Sequence, residues 1–147
     1  MKTTVAQILA GKGSDVWSVS PDTLLYKALQ LMQDKGIGAL AILDQDNKLV
    51  GIVSERDYAR KVILEGRSSR ETFTSEIMTK ELYVVKPETT IDECISLMTE
   101  KRVRHLPVLE KGKLLGIVSI GDVVKSIIKE QRIEIRTLND YIMGKYI

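Results

Sequence analysis

The sequence predicts an α/β fold of two tandem β-α-β-β-α repeats packed with pseudo-twofold symmetry, and three observations carry that expectation. Within its 147 residues, Pro21-Asp22-Thr23 opens a segment that closes on Gly51-Ile52-Val53-Ser54-Glu55-Arg56-Asp57, and Pro87-Glu88-Thr89 opens another that closes on Gly116-Ile117-Val118-Ser119-Ile120-Gly121-Asp122. Leu25, Ala28, Leu29 and Met32, spaced for one helical face, return 66 residues later as Ile91, Cys94, Ile95 and Met98; the closing Gly, Ser and Asp return after 65, one residue being lost in a turn. In both copies these helical patterns alternate with short apolar strands. A repeat of this length means two units that each leave an apolar face to be covered by the other, so a functional surface is expected between the copies.

From the N-terminus, Thr4 to Ala10 reads as a short helix, followed by a Gly11-Lys12-Gly13-Ser14-Asp15 loop. Val16, Trp17, Ser18 and Val19 are β-prone and predict a strand ending before Pro21. Thr23 is positioned to cap the next helix, which Lys35 and Gly36 end. Residues 39–43 and 49–53 are near-continuous apolar runs around the polar turn Asp44-Gln45-Asp46-Asn47-Lys48, the pattern of a hairpin of buried strands. A helix from Glu55 to about Leu64 follows. The second copy predicts a strand at 82–85, a helix at 90–101, a hairpin over 105–118 and a helix from 120. The resulting division is repeat 1 over residues 5–65 with the N-terminal helix and loop, a linker over 66–80, repeat 2 over 81–130, and a helical tail over 131–147. That tail, with Leu138, Ile142 and two tyrosines, has no counterpart in the first copy and needs a partner surface.

Length suffices for a core without metal or disulfide staples. The lone Cys94 falls on an apolar helix face and reads as a buried hydrophobe, which fits a reducing, cytoplasmic location. No apolar run reaches the roughly 18 residues of a membrane span, and residues 1–5 lack the apolar core of a signal peptide. Net charge is +2, from 22 basic and 20 acidic residues mixed along the chain, so neither a nucleic acid nor a membrane is expected as partner. The charged stretch from Glu65 to Arg70, which follows Arg60 and Lys61, reads as a solvated linker.

Ser54-x-x-Asp57 and Ser119-x-x-Asp122 sit where a buried strand passes into a helix. Free backbone N–H groups and the helix dipole favour an anion there, and an aspartate one turn on can accept two hydrogen bonds from a vicinal diol. Phosphate beside ribose describes a nucleotide. Ser-x-x-Asp is equally a variant of the capping box, in which the two side chains satisfy the helix's own donors, and duplication would copy a cap as faithfully as a site. The residues alone leave both readings open.

The ordered set of Pro-x-Thr before an amphipathic helix, a hairpin holding Leu106-Pro107-Val108, and a closing Gly-Ile-Val-Ser-x-x-Asp resembles the CBS domain, named after cystathionine β-synthase. Two in tandem resemble a Bateman module, over residues 5 to about 130. Residues 53–61, Arg102-Val103-Arg104-His105-Leu106-Pro107-Val108 and the tail Leu138-Asn139-Asp140-Tyr141-Ile142 are similar to the short stand-alone CBS-pair proteins of bacteria and plant organelles. The resemblance implies a CBS-domain pair: a regulatory module without catalysis that binds an adenine nucleotide (AMP, ATP or NAD/NADH type) in clefts between the repeats. It implies no required cofactor, a homodimer built through the helices at 24–35 and 90–101 with the tail, and an unknown protein target. Carried over residue by residue, the first cleft takes Ile52, Ser54, Arg56 and Asp57 with Thr79, Tyr83, Val103, Arg104 and His105. The second takes Ile117, Ser119, Gly121 and Asp122 with Lys12, Val16, Trp17, Ile37, Gly38 and Ala39. The chain departs from the pattern where repeat 2 has Arg104-His105 and repeat 1 has Gly38-Ala39. The second cleft is therefore expected to offer little cationic charge beyond Lys12 and to bind more weakly than the first.

Trp17 is read either as core filling or as a platform for a base, and His105 as a structural residue or a ligand contact. Met32 and Met98 are core by their spacing. One histidine and one cysteine cannot make the usual three- or four-ligand metal set, so no metal is expected. No nucleophile elbow, phosphate-binding Gly-Lys loop or Gly-x-Gly-x-x-Gly is present, and no catalytic residue is assigned; a nucleotide-acting enzyme is the weaker alternative, and a structural or partner-binding protein with empty clefts the stronger one.

Overall fold

In the computed structural model, Thr4 caps helix α1 (Val5–Lys12) through a complete capping box with Gln7. Residues 2–13 and 15–144 are described; Met1, Ser14 of the predicted loop, and Lys145, Tyr146 and Ile147 of the predicted tail lie outside them. Strand β1 (Ser18–Val19) is shorter than predicted and runs parallel to β2 (Ala39–Leu43), which pairs antiparallel with β3 (Leu49–Ser54). Between them, α2 (Leu25–Lys35) buries Leu25, Ala28 and Met32 and ends on Gly36 in the left-handed conformation, φ 64°. Thr23 does not cap this helix: its hydroxyl accepts the Ser20 N–H, and the N-cap position falls on Leu24. Its counterpart one repeat on, Thr90, does cap α5 (Ile91–Lys101), with Glu93 completing the box.

The predicted helix at 55–64 is a four-residue α3 (Glu55–Tyr58) that widens into a π-turn over Ala59–Ile63, closed by Leu64 N–H donating to the Ala59 carbonyl. The wider turn keeps Val62 fully buried while Ile63 and Leu64 stay exposed. In the second repeat the predicted strand at 82–85 reduces to one parallel bridge, Val85 to Val108, because only Val85 meets the β4 edge. Strands β4 (His105–Glu110) and β5 (Lys113–Ser119) form the second hairpin, and α6 (Ile120–Ile142) runs 23 residues without a break.

Two cores result, and the leading helices are exchanged between them. Val5 and Ile8 of α1 pack with Ile91, Cys94, Met98, Leu106, Val108, Val118 and Val123 of the second repeat. Ile77 of α4 (Thr74–Ile77), with Met78, packs against Leu25, Met32, Leu40, Ile42, Val53 and Val62 of the first. The sequence division grouped α1 with repeat 1 and residues 74–77 with a linker; the buried side chains of α1 lie in the second core and Ile77 lies in the first. Backbone bonds fix each exchange in the same way. Val5 and Ala6 N–H donate to the Thr89 and Pro87 carbonyls, as Thr74 and Ser75 N–H donate to Thr23 and Pro21. Ile91 N–H donates back to Thr3, as Leu25 N–H does to Thr72.

Since Thr90 is the capped copy and Leu24 the uncapped one, Thr90→Ala is expected to lower unfolding free energy by about 0.5–2 kcal/mol while Leu24→Ala removes no cap bond. Denaturant titration of Thr90→Ala checks it; an unchanged midpoint would contradict the cap.

Candidate functional site

Both strand-to-helix junctions are closed capping boxes. Ser54 Oγ accepts the Asp57 N–H at 3.1 Å and Asp57 Oδ2 accepts the Ser54 N–H at 2.9 Å. The corresponding distances for Ser119 and Asp122 are 3.1 and 2.8 Å. The capping alternative is thus realised at both places, and any ligand role falls to the atoms the caps leave over. In each repeat the first helical N–H is taken by the residue before the hairpin: Glu55 donates to Gly38 O and Ile120 to Arg104 O.

What differs is the remaining carboxylate oxygen. Asp57 Oδ1 is engaged by Lys61 Nζ at 3.1 Å, one helical turn on, and by the Thr79 hydroxyl at 3.3 Å. At Asp122 a single oxygen, Oδ2, takes both the Ser119 N–H and Lys12 Nζ at 2.7 Å; among the described residues Oδ1 accepts no hydrogen bond. Lys12 also donates to the Ile117 carbonyl at 2.9 Å. Burial pushes the Asp122 carboxyl up, but the bonds from Lys12 and Ser119 outweigh it and hold the group below its ordinary value. The exchanged helices deliver these partners: α1 carries Lys12 to Asp122, and α4 leads to Thr79, whose backbone bridges Ile52.

All ten residues assigned to the second cleft line one cavity of about 740 Å³: Ile117, Ser119, Gly121 and Asp122 from one side, Lys12, Val16, Trp17, Ile37, Gly38 and Ala39 from the other. Lys35, Lys125 and Lys129 join them. This corrects the expectation that Lys12 would be nearly alone. Lys125 and Lys129 stand one turn apart on α6, so both reach the cleft, a proximity that motif comparison between the repeats does not register. Trp17 is half-buried; Lys35 Nζ lies 4.2 Å from its ring centroid, a cation–π contact on one face.

The first set is assembled less completely. Ile52, Ser54, Asp57 and Thr79 meet, but Arg56 and Arg104 are exposed, and Tyr83 donates to Glu81 at 3.0 Å beneath Lys101. Val103 packs against the second core. His105 lies where the two sets touch: a Cβ placed on Gly38 would sit 3.6 Å from its Nε2 and 3.9 Å from Glu55 Oε1. Among the described residues no cluster of three or more His, Cys, Asp or Glu could hold a metal ion, and no helix is long and apolar enough to cross a membrane.

The family model described as CBS domain matches residues 6–64 and 75–129. The chain is similar to the mitochondrial CBS domain-containing protein CBSX3 of Arabidopsis thaliana, 40% identical over 98% of this chain and 74% of that protein. Among solved structures it is similar to a putative signal-transduction protein with CBS domains from Burkholderia ambifaria, with 53% identity, coverage of 88% of this chain and 96% of that one, and a TM-score of 0.83. It also shares its fold with a CBS domain pair solved in complex with 5′-methylthioadenosine and S-adenosyl-L-methionine, at 22% identity, 88% and 99% coverage, and a TM-score of 0.78.

The position of His105 generates a pH prediction. Burial first, then the charges of Lys12 and Arg104, hold its imidazole below the ordinary 6.5, against the opposing pull of Asp122 and Asp57. The unfolded chain therefore binds this proton more readily than the folded one, and stability is lost as pH falls through 6.5. Unfolding free energy of the wild type is expected to fall more steeply between pH 7.5 and 5.5 than that of His105→Gln. Equal slopes, with an NMR titration midpoint at or above 6.5, would contradict this environment.

Proposed function

The chain belongs to the CBS domain family, and from that premise we propose that it is a non-catalytic sensor that binds an adenine nucleotide reversibly in the cavity bounded by Asp122, Lys12 and Trp17. One observation carries the reading: the ten residues assigned to that cleft by sequence line a single cavity that also holds four lysines, with Asp122 Oδ1 left for a diol. Ribose hydroxyls would donate to Asp122, phosphates would meet Lys12, Lys125 and Lys129, and the base would lie along Trp17 on the face that Lys35 leaves open. A fold relative at 22% identity is described with two adenosine-containing ligands, which supports the ligand class and not a particular member of it.

The first set, with Ile52, Ser54, Arg56, Asp57, Thr79, Tyr83, Val103, Arg104 and His105, is proposed as a second and weaker position. Both Asp57 oxygens already accept protein donors, so a diol there must displace Lys61 or Thr79. This reverses the order expected from sequence, in which the arginines favoured the first cleft. A homodimer, a reducing compartment such as the cytoplasm, and a protein target whose activity the ligand alters complete the proposal. Control of that kind requires the nucleotide to bind two conformations unequally.

The complete caps favour a second reading, a partner-binding protein with empty clefts. Melting curves with AMP, ATP, NAD, NADH and S-adenosylmethionine separate the two, since a ligand at a hundredfold excess over its Kd stabilises the native state by about 2.7 kcal/mol. Calorimetry with whichever of these shifts the curve then locates the site. Asp122→Ala is expected to weaken binding about 10- to 100-fold through loss of a charged acceptor, and Asp57→Ala to change the tight event by less than about threefold. Wild-type affinity in Asp122→Ala would remove the assignment, and flat curves with all five would select the second reading.

A further inference from the structure

The positive charge of the second cleft continues past its mouth. From Asp122, the residues Lys125, Lys129, Arg132 and Arg136 follow along α6 at steps of three, four, three and four, which keeps all five on one face of the helix. Lys125 and Lys129 line both the cavity of about 740 Å³ and a neighbouring groove of about 810 Å³, into which Arg132 and Arg136 continue. All four cations are exposed, and among the described residues none of them forms a salt bridge, whereas Lys12 is held by Asp122 and Lys35 lies over Trp17. Glu130 and Glu134 fall on the other side of the helix, and Glu130 accepts the Thr3 N–H at 3.1 Å. Four uncompensated charges in line repel one another, and an anion of matching length relieves that repulsion. The first repeat has no such track, because the helix after Asp57 widens at Ala59 and closes by Leu64. Arg132 and Arg136 lie beyond residue 129, where the CBS repeats end, so the track belongs to the tail of this chain.

We propose that this track ranks the ligands of the second cleft by the length of their phosphate chain, and that Arg132 distinguishes a nucleoside triphosphate from a monophosphate. The proposal rests on the nucleotide reading of the cleft, with the ribose at Asp122. At about 1.5 Å of rise per residue, Lys125, Lys129 and Arg132 stand about 4.5, 10.5 and 15 Å along the helix from Asp122, and long helical side chains lean back toward the N-terminus. A first phosphate on that ribose meets Lys125; reaching Lys129 and then Arg132 takes a chain of them. Arg136, about 21 Å along, lies past the end of a triphosphate. A guanidinium holds a terminal phosphate by two parallel charge-assisted hydrogen bonds, which a monophosphate is too short to reach and S-adenosylmethionine, without phosphate, cannot accept.

Calorimetry of the full chain with AMP, ADP, ATP and inorganic tripolyphosphate, in magnesium-free buffer, tests the ranking. ATP is expected to bind at least about tenfold tighter than AMP, with ADP between them, and tripolyphosphate at least about tenfold more weakly than ATP. Arg132→Gln should weaken ATP about tenfold and AMP less than about twofold, while Arg136→Gln, the control for diffuse charge, changes neither by more than about twofold. Both arginines are exposed and unpaired, so melting temperatures without ligand should not move. Equal affinities for AMP and ATP would overturn the ranking and leave the nucleotide cleft standing; no binding of any nucleotide would remove both. Equal losses of ATP affinity in the two variants, or none in Arg132→Gln, would overturn the role of Arg132. Tripolyphosphate binding as tightly as ATP would make the track a separate polyanion surface, and the proposal fails.

Discussion

The exchange of leading helices between the repeats is the constraint on which the rest of this structure depends. Val5 and Ile8 complete a core whose other members follow residue 84, and Ile77 completes one whose other members precede residue 63. Neither repeat as read from sequence can close its own apolar face. Burying a side chain of this size contributes about 1.5–3 kcal/mol, so each exchange matters to a domain of marginal stability. The three backbone bonds at each crossing set the angle at which the helix enters and hence where its end arrives.

Site formation follows from that arrival. The C-terminal end of α1 brings Lys12 over the Ser119–Asp122 box, and the end of α4 brings Thr79 to the Ser54–Asp57 box. Symmetry gives two junctions of one design, and sequence divergence makes them unequal. Lys61, in the first repeat, reaches back one turn to Asp57 and donates to the Ile77 carbonyl, filling space that in the second repeat belongs to the cavity. The continuous α6, free of the π-turn found after α3, instead presents Lys125 and Lys129 along that cavity. Capping and ligand binding are therefore compatible uses of one aspartate, provided that one of its oxygens is spared.

Electrostatics join the junctions at His105. It pairs in register with Ser119 across β4 and β5, lies against Gly38 of the other hairpin, and is influenced by Lys12, Asp122, Arg104 and Asp57. A Cβ at Gly38 would make ordinary van der Waals contact with the imidazole, 3.6 Å from Nε2, so the two hairpins approach closely here without requiring glycine. An anion entering the second cavity would add negative charge beside the same imidazole and favour its protonation.

Sequence by itself determined the repeat, the hairpins and the amphipathic helices, because periodicity and turn chemistry act over a few residues; the ten residues that the family resemblance assigned to a second cleft line one cavity. It misplaced the Thr23 cap, since Thr23 and Leu24 compete for one position and the backbone, not residue type, chose Leu24. Only the tertiary structure decided which core each leading helix joins, that Lys125 and Lys129 share a cavity with Lys12, and which aspartate keeps an oxygen without a hydrogen bond among the described residues. Those outcomes depend on contacts between residues about 100 positions apart, such as Lys12 with Asp122, where no local pattern records the distance.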